Sequence, residues 1–301
     1  MDGRFRKALL IGVPYFWLLL FFLAPFLIVL KISVSDYAVS IPPYSPQLDL
    51  GGGWPAIADF FSQLDFENYR WLIDDALYAK AYLSSLTIAF FSTIFTLMIG
   101  FPFAYGLARS PERWRALLLM LVILPFWTSF LIRVYSWIGI LKTEGLLNQF
   151  LLWLGVIDQP LVILNTNIAV YIGIVYSYLP FMILPIYSTL EKMDESLLEA
   201  AVDLGASRMK AFWLVTVPLA LPGIVAGCFL VFIPAVGEFV IPDLLGGAET
   251  LMIGKTLWNE FFSNRDWTVA SAVAIVLLLL LVVPILIFQR QIERQQEAEA
   301  R

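Results

Sequence analysis

The sequence contains no histidine, a single cysteine and few charged residues. Without histidine the chain has no imidazole-based catalytic triad, histidine metal site or histidine proton relay. The single cysteine, Cys228, excludes a disulfide within the chain. Charged residues make up 14% of the sequence, against about 25% in soluble proteins. With 60% hydrophobic residues and a mean hydropathy of +0.82, the composition indicates a polytopic membrane protein.

A complete ATP-binding motif is also missing. Gly254-Lys255-Thr256 matches the end of a Walker A motif, but Glu249 stands where its first glycine is required. We therefore expect no ATP hydrolysis by this chain, and the sequence predicts no enzyme activity, cofactor or metal site.

Six apolar runs are each near the roughly 20 residues that a helix needs to cross the hydrocarbon core of a bilayer. They are continuous rather than alternating, which favours helices. The first run follows Arg4, Arg6 and Lys7 and is too long for the core of a cleaved signal peptide, so we expect a retained helix. The prediction is an all-α membrane protein with spans at 8–30, 82–107, 116–140, 167–190, 218–242 and 268–288.

The basic residues predict the orientation of these spans, because cytoplasmic loops are enriched in lysine and arginine. A cytoplasmic N-terminus places 12 of the 19 basic residues on the inner side: Arg4, Arg6, Lys7, Arg109, Arg113, Arg115, Lys192, Arg208, Lys210, Arg290, Arg294 and Arg301. Both termini and the polar segment at 191–217 are therefore predicted to be cytoplasmic.

The predicted organisation has three parts. Residues 1–81 hold the N-terminal tail, the first span and a long outer loop, residues 82–288 form a core of five spans, and residues 289–301 form a C-terminal tail. The outer loop begins with a proline- and glycine-rich stretch. Its second half, Trp54 to Leu83, has helical periodicity and predicts one or two short amphipathic helices, with a partly ordered linker as the alternative.

The segment at 191–217, here called the 191–217 loop, carries the signals of a helix, a glycine corner and a second helix. Either Ser196, in an S-x-x-E pattern with Glu199, or Asp194 can cap the first helix. Gly205 suits the left-handed residue that closes it. Ser207 can cap the second helix, and Pro218 suits the start of the next span.

Two faces are expected on the first helix of this loop. One is an acidic stripe and the opposite one is apolar, and their members are Glu195, Glu199 and Asp203 against Leu197, Leu198, Ala201 and Leu204. The small pair Ala200-Ala201 permits close approach by another surface. An ordinary solvated loop helix is the alternative interpretation.

The spacing Glu199-Ala200-Ala201-x3-Gly205-x9-Val215-x-Val217-Pro218 resembles the E-A-A-x3-G-x9-I-x-L-P signature of ABC importer permeases. Val215 and Val217 replace Ile and Leu and keep the apolar character. Three further stretches are similar to the spermidine/putrescine importers, most of all to the putrescine permeases: Leu124–Arg133, Phe232–Pro242 and Asn264–Trp267.

This resemblance implies a bacterial inner-membrane permease with the type I ABC importer fold, working by ATP-driven alternating access. The implied partners are a cytoplasmic ATPase dimer, a second homologous permease, a periplasmic polyamine-binding protein and the polyamine itself, within the lipid membrane and without nucleic acid. The loop would be the coupling helix that inserts into the ATPase, through Glu199, Ala200, Ala201, Asp203, Gly205 and Ser207.

A path for a polyamine needs carboxylates for its ammonium groups and aromatic faces for cation–π contact. Glu238, between Pro234 and Pro242, and Asp243 are the acidic candidates, because ionisable groups in membrane spans are costly and usually functional. An ion pair between Glu238 and Arg133 is the alternative. The candidate aromatic residues are Trp127, Tyr135, Tyr171 and Tyr178, with Tyr171 and Tyr178 on one helix face, although interfacial aromatic belts also explain such residues.

Two other functions remain open from the sequence. An importer for Fe(III), thiamine or sulfate would carry a similar loop, although an anion path would favour basic residues over Glu238 and Asp243. A proton-coupled secondary transporter needs titratable groups through its bundle, of which the spans have few, and would leave the 191–217 loop unexplained.

Overall fold

The computed structural model describes residues 3–48, 51, 53–194 and 196–299. Its helices are α1 (Gly3–Leu18), α2 (Ala24–Ser33), α3 (Gly53–Ser62), α4 (Glu67–Asp74), α5 (Ala76–Ala108), α6 (Glu112–Ile123), α7 (Phe130–Leu141), α8 (Leu146–Trp153), α9 (Asn167–Leu190), α10 (Ser196–Asp203), α11 (Arg208–Ala211), α12 (Val217–Val236), α13 (Val240–Leu244), α14 (Ile253–Trp258) and α15 (Trp267–Glu299). A 3-10 turn follows α6 at Leu124–Trp127, and π-helical turns lie at Leu19–Leu23, Phe212–Thr216 and Asn259–Ser263. Two short antiparallel strands, β1 (Asp36–Tyr37) and β2 (Tyr44–Ser45), pair with each other.

Most of the predicted spans are present as single helices. In the described ranges, four helices are long and apolar enough to cross a membrane: Leu10–Ser33, Ala76–Ala108, Asn167–Leu190 and Arg208–Val236. A bent pair in the region of the third prediction can count as a fifth span, and α15 contributes a shorter apolar helix, Trp267–Val283. The prediction of an all-α, multi-pass membrane protein is confirmed.

The third span is not the single helix predicted at 116–140. Glu112–Trp127 and Phe130–Trp153 meet at an angle of 89°. Pro125 has no N–H to donate to the helix, and Thr128 and Ser129 are extended before α7 begins. The apolar run was correctly located, but its composition did not reveal the break.

The fifth span also differs from the prediction of a helix beginning at Pro218. The helix begins ten residues earlier, at Arg208, and continues to Val236 through the π-turn. The N–H of Val217 bonds to the carbonyl of Phe212, five residues back, so the wider turn accommodates the missing N–H of Pro218. Helical structure then stops at Gly237 and resumes at Val240 in α13.

The described chain divides into two compact units, one running to Lys80 and resuming at Thr256, the other spanning Ala81–Lys255. In the first unit, α3 and α4 confirm the prediction of one or two short helices in the long loop. Here α15 packs against α2 and α4. The buried carboxylate of Glu260 accepts hydrogen bonds from Tyr78 Oη at 2.9 Å and from Asn264 Nδ2 at 2.8 Å.

The core of the second unit is the contact between α9 and α12. Gly223 and Gly227 lie one helical turn apart on α12 and face α9. A Cβ at Gly223 would stand 2.7 Å from the Pro185 carbonyl oxygen, and one at Gly227 would stand 2.8 Å from Met182 Sδ. Small residues at this spacing let membrane helices approach closely, so packing here replaces the hydrophobic driving force that lipid does not supply.

Candidate functional site

The first candidate site is the 191–217 loop, whose first helix is α10. Asp194 Oδ1 accepts the N–H of Ser196 at 2.9 Å, so of the two predicted caps the structure uses Asp194. This hydrogen bond lowers the pKa of the Asp194 carboxyl. The stabilisation of the helix start by the Asp194 carboxylate is therefore present at neutral pH and is lost only as the pH falls through that lowered pKa. Glu195, predicted in the acidic stripe, lies outside the described residues.

The end of α10 has the predicted glycine corner. Gly205 has a φ of +86°, the left-handed region that glycine adopts without strain. Its N–H donates to the carbonyl of Val202 at 2.8 Å, and the N–H of Ala206 donates to the carbonyl of Ala201 at 3.0 Å. Together these bonds form a Schellman motif. Ser207 Oγ then accepts the N–H of Lys210 at 3.3 Å, as predicted for the cap of the second helix.

The two faces of α10 have different surroundings. Leu204 is 90% exposed, and Leu197 and Ala200 are also exposed on the same side of the helix. Glu199 and Asp203 are also exposed, and they line a cleft of about 500 Å³ together with Tyr105, Leu198, Val202, Arg208, Ala211, Phe212 and Thr216. The helix therefore presents both an apolar side and two acidic side chains outwards.

The start of the loop is tied to the start of α6. Glu191 accepts a hydrogen bond from Tyr187 Oη at 2.6 Å and lies 3.9 Å from an Arg115 guanidinium nitrogen. Arg115 Nε in turn donates to the carbonyl of Ser110 at 2.9 Å. These contacts connect the loop to both α6 and the end of α9.

The second candidate site is the helix break between α12 and α13, where Glu238 is 8% exposed. Its Oε1 accepts N–H groups from Phe239, Val240 and Ile241 at 3.0–3.4 Å. Its Oε2 accepts the hydroxyl hydrogen of Tyr178 at 2.5 Å. The break frees backbone N–H groups that would otherwise belong to a continuous helix, and these hold the carboxylate in place.

Glu238 lies in a pocket of about 480 Å³ whose lining includes five aromatic side chains. Its lining comprises Phe126, Phe130, Arg133, Ser177, Tyr178, Phe181, Pro234, Gly237, Glu238, Phe239 and Val240. Ser177 Oγ is buried and has no hydrogen-bond partner among the described residues. A carboxylate, a free hydroxyl oxygen and several ring faces together make a site for an organic cation.

The alternative ion pair between Arg133 and Glu238 is not formed, although both residues line this pocket. The Arg133 guanidinium lies over the ring of Phe126, 4.7 Å from its centre, and 5.7 Å from that of Phe130. Its Nε and Nη1 are buried without an acceptor in the part of the chain that the structure describes.

Of the residues predicted along the path, the structure brings together Glu238 and Tyr178. Asp243 pairs with Lys255 at 3.4 Å, and Trp127 and Tyr135 are exposed away from the pocket lining. Tyr171 contacts the edge of Phe95. Although Tyr171 and Tyr178 share a face of α9, seven residues separate them by about 10 Å along its axis.

Sequence reasoning missed the phenylalanines that form the pocket walls. Phe126 and Phe130 lie on either side of the break between α6 and α7, and Phe181 lies one turn after Tyr178 on α9. The spacing of Phe181 from Tyr178 is a signal that the sequence does contain. Phe126 and Phe130 have no such signal, because the bend that brings them to Glu238 was not predicted.

Gly254, the glycine of the incomplete Walker A motif, has a structural role at the same break. A Cβ there would stand 2.3 Å from the carbonyl oxygen of Gly237 and 2.6 Å from that of Glu238. Because both obstacles are backbone atoms, no side chain can move to relieve the contact. The glycine allows α14 to pack directly against the segment that positions Glu238.

We expect Gly254→Ala to destabilise the protein by about 1–3 kcal/mol, the usual cost of overpacking. The measurement is thermal unfolding of the purified protein, with uptake assayed alongside. Gly139→Ala is the matched control, because a Cβ there has nothing within 4 Å. Equal melting temperatures for the two variants would contradict the assigned role of Gly254.

Comparison with known proteins identifies the family. The profile described as "Binding-protein-dependent transport system inner membrane component" matches residues 83–297. The spermidine/putrescine transport system permease protein PotB of Salmonella typhimurium (strain SL1344) is 50% identical over 224 residues, 74% of this chain and 78% of that protein. The protein of the same name from Haemophilus influenzae is 42% identical over 291 residues, 96% of this chain and 95% of its own length.

The fold agrees with these matches. A crystal structure of the bacterial alginate ABC transporter in complex with alginate pentasaccharide-bound periplasmic protein aligns with a TM-score of 0.68 at 16% identity. The alignment covers 94% of this chain and 92% of that one. The predicted type I ABC importer permease fold is confirmed, and the chain is a transport subunit rather than an enzyme. By the extent of the profile match and the identity to its relatives, the chain belongs to the family of binding-protein-dependent transport system inner membrane components.

Proposed function

We propose that this chain is the permease subunit of an ABC importer for polyamines such as putrescine and spermidine. The observation that carries the proposal is the ionisable Glu238 held inside an aromatic pocket. Polyamines combine ammonium groups with methylene chains, and this pocket offers a carboxylate, the Ser177 oxygen and ring faces. The names of the relatives at 42–50% identity agree with this cargo.

The proposed complex pairs this chain with a second homologous permease, a cytoplasmic ATPase dimer and a periplasmic polyamine-binding protein. Both termini and the 191–217 loop lie in the cytoplasm, as the distribution of basic residues favours. The exposed apolar face of α10 seats in the ATPase, and the closed corner at Gly205 keeps that face rigid.

One continuous helix connects the 191–217 loop to the pocket and transmits its movement. The 29 residues from Arg208 to Val236 follow α10 after the corner at Gly205 and end at the break that holds Glu238. At 1.5 Å per residue this helix is about 43 Å long. When ATP binding closes the ATPase dimer and moves α10, the helix carries that displacement to Gly237 and Glu238. The pocket then alternates between the two sides of the membrane.

An anion importer and a proton-coupled secondary transporter fit the structure less well. In an importer for an anion, the carboxylate of Glu238 would face the cargo and repel it, and Arg133 would be the basic residue of the pocket. A proton-coupled secondary transporter would not need the outward apolar face of α10.

The test uses the complex purified from cells and reconstituted into vesicles loaded with ATP, with the binding protein outside. We expect an ATPase subunit to co-purify and labelled putrescine to enter in an ATP-dependent way. Unlabelled diamines and triamines should compete, whereas Na⁺, sulfate and thiamine should not. Competition by sulfate or thiamine would show that the cargo is not a polyamine. Uptake driven by a pH gradient without ATP would show that the protein is a secondary transporter and not an ABC importer.

A further inference from the structure

The geometry points to Arg133 as a resident cation that occupies the aromatic face beside Glu238 and is displaced by each arriving substrate ammonium. Arg133 thereby keeps the pocket from holding its cargo too tightly. This inference rests on the proposed polyamine function and assigns Arg133 the role of setting affinity at that same pocket.

The first step of the argument is that Arg133 and a substrate ammonium need the same surroundings. The guanidinium is placed over Phe126 and Phe130, two of the aromatic walls of the pocket. An organic ammonium is attracted to aromatic faces by the same interaction with the ring quadrupole. A cation that enters beside Glu238 must therefore share or take these faces.

The second step is that Arg133 is held weakly. Its guanidinium has no salt bridge, and Nε and Nη1 have no acceptor among the described residues, although both are buried. Buried arginines in spans are normally paired, because the unpaired charge is costly. Ring contact alone leaves the side chain free to move when another cation arrives.

The third step is that Glu238 does not depend on Arg133. The carboxylate is already satisfied by three backbone N–H groups and the Tyr178 hydroxyl. Displacing Arg133 therefore does not leave the carboxylate unpaired, and the Glu238 site persists while cations exchange.

A transport pathway must bind its cargo strongly enough to admit it and weakly enough to release it. Arg133 promotes release of the cargo, because its charge repels the ammonium that Glu238 attracts. A cargo with two ammonium groups is repelled more than a cargo with one.

The test measures equilibrium binding of labelled putrescine to the purified complex without binding protein and without ATP. We expect Arg133→Gln to lower the Kd about tenfold, equivalent to about 1.4 kcal/mol, with a smaller gain for butylamine. Arg133→Lys should gain less affinity than Arg133→Gln, since it keeps the cation but loses the planar guanidinium. Adding Glu238→Gln to Arg133→Gln should abolish the gain.

A role of Arg133 in structure alone predicts weaker or unchanged binding in Arg133→Gln, and that result in an assembled complex overturns the proposal. Arg133→Met supplies a second uncharged variant that fits between rings, and it must also bind putrescine more tightly. Failure of both variants to do so, for any cause, rejects the assignment. If the wild-type complex takes up no polyamine in vesicles, the proposed function itself fails, a result separate from any change in Kd.

Discussion

Replacing Glu238 by glutamine is expected to reduce polyamine uptake at least tenfold while leaving the complex assembled. Glutamine keeps a carbonyl oxygen that can accept the N–H groups of Phe239, Val240 and Ile241, so the start of α13 retains its cap. The negative charge that attracts an ammonium group is lost, and charge-assisted hydrogen bonds are roughly twice as strong as neutral ones. The measurement is the initial rate of labelled putrescine uptake at limiting concentration.

Glu260→Gln is the matched control for this experiment. Glu260 is also 8% exposed and also accepts a tyrosine hydroxyl, that of Tyr78, but it does not line the pocket. A loss of uptake in both variants would indicate a general effect of removing a buried carboxylate. Unchanged uptake in Glu238→Gln would remove Glu238 from the path.

Replacing Leu204 by glutamate is expected to detach the ATPase subunit and abolish ATP-dependent uptake. Leu204 is 90% exposed at the end of the apolar face of α10. Burying a leucine side chain stabilises an interface by about 2 kcal/mol, or roughly thirtyfold in affinity. The glutamate loses this contribution and adds the cost of desolvating a charge. The measurement is the amount of ATPase that co-purifies with the permease.

Val39→Glu provides the control, because Val39 is 96% exposed and lies in the predicted outer loop. It introduces the same charge in place of an equally exposed aliphatic side chain. Glu199→Lys adds a contrast, since Glu199 lines the cleft on the other face of α10. If Leu204→Glu retained the ATPase at the wild-type ratio, the apolar face of α10 would not be the docking surface.

The local features of the 191–217 loop were predictable because each depends on a few neighbouring residues. Gly205 closes α10 and Ser207 caps the next helix, as their residue types predict. The choice of Asp194 over Ser196 as the cap was open in the sequence, because both side chains can accept the same kind of hydrogen bond. The exposed face of α10 was not predictable, because exposure depends on which other helices lie beneath it.

The pocket around Glu238 shows the same division between local and long-range information. Pro234 and Pro242 lie on either side of the break at Gly237, inside α12 and α13. The side-chain partner of the Glu238 carboxylate, Tyr178, lies on α9, and its pocket neighbours Phe126 and Phe130 lie in the 3-10 turn and on α7, far away in the chain. Asp243 has the same charge as Glu238 but pairs with Lys255, a contact that sequence spacing does not indicate.

The sequence by itself determined that this protein lies in a membrane and is helical. Its scarcity of charge and its apolar runs required a helical membrane protein, since these follow from composition and local periodicity. The E-A-A-x3-G spacing adds a resemblance to ABC importer permeases. Only the tertiary structure decided which side chains meet around one pocket. The 89° bend after Trp127 and the break at Gly237 place Phe126, Arg133, Tyr178 and Glu238 around one pocket. Contacts of this kind join residues up to about 110 positions apart, and they are set by helix packing, which no local pattern encodes.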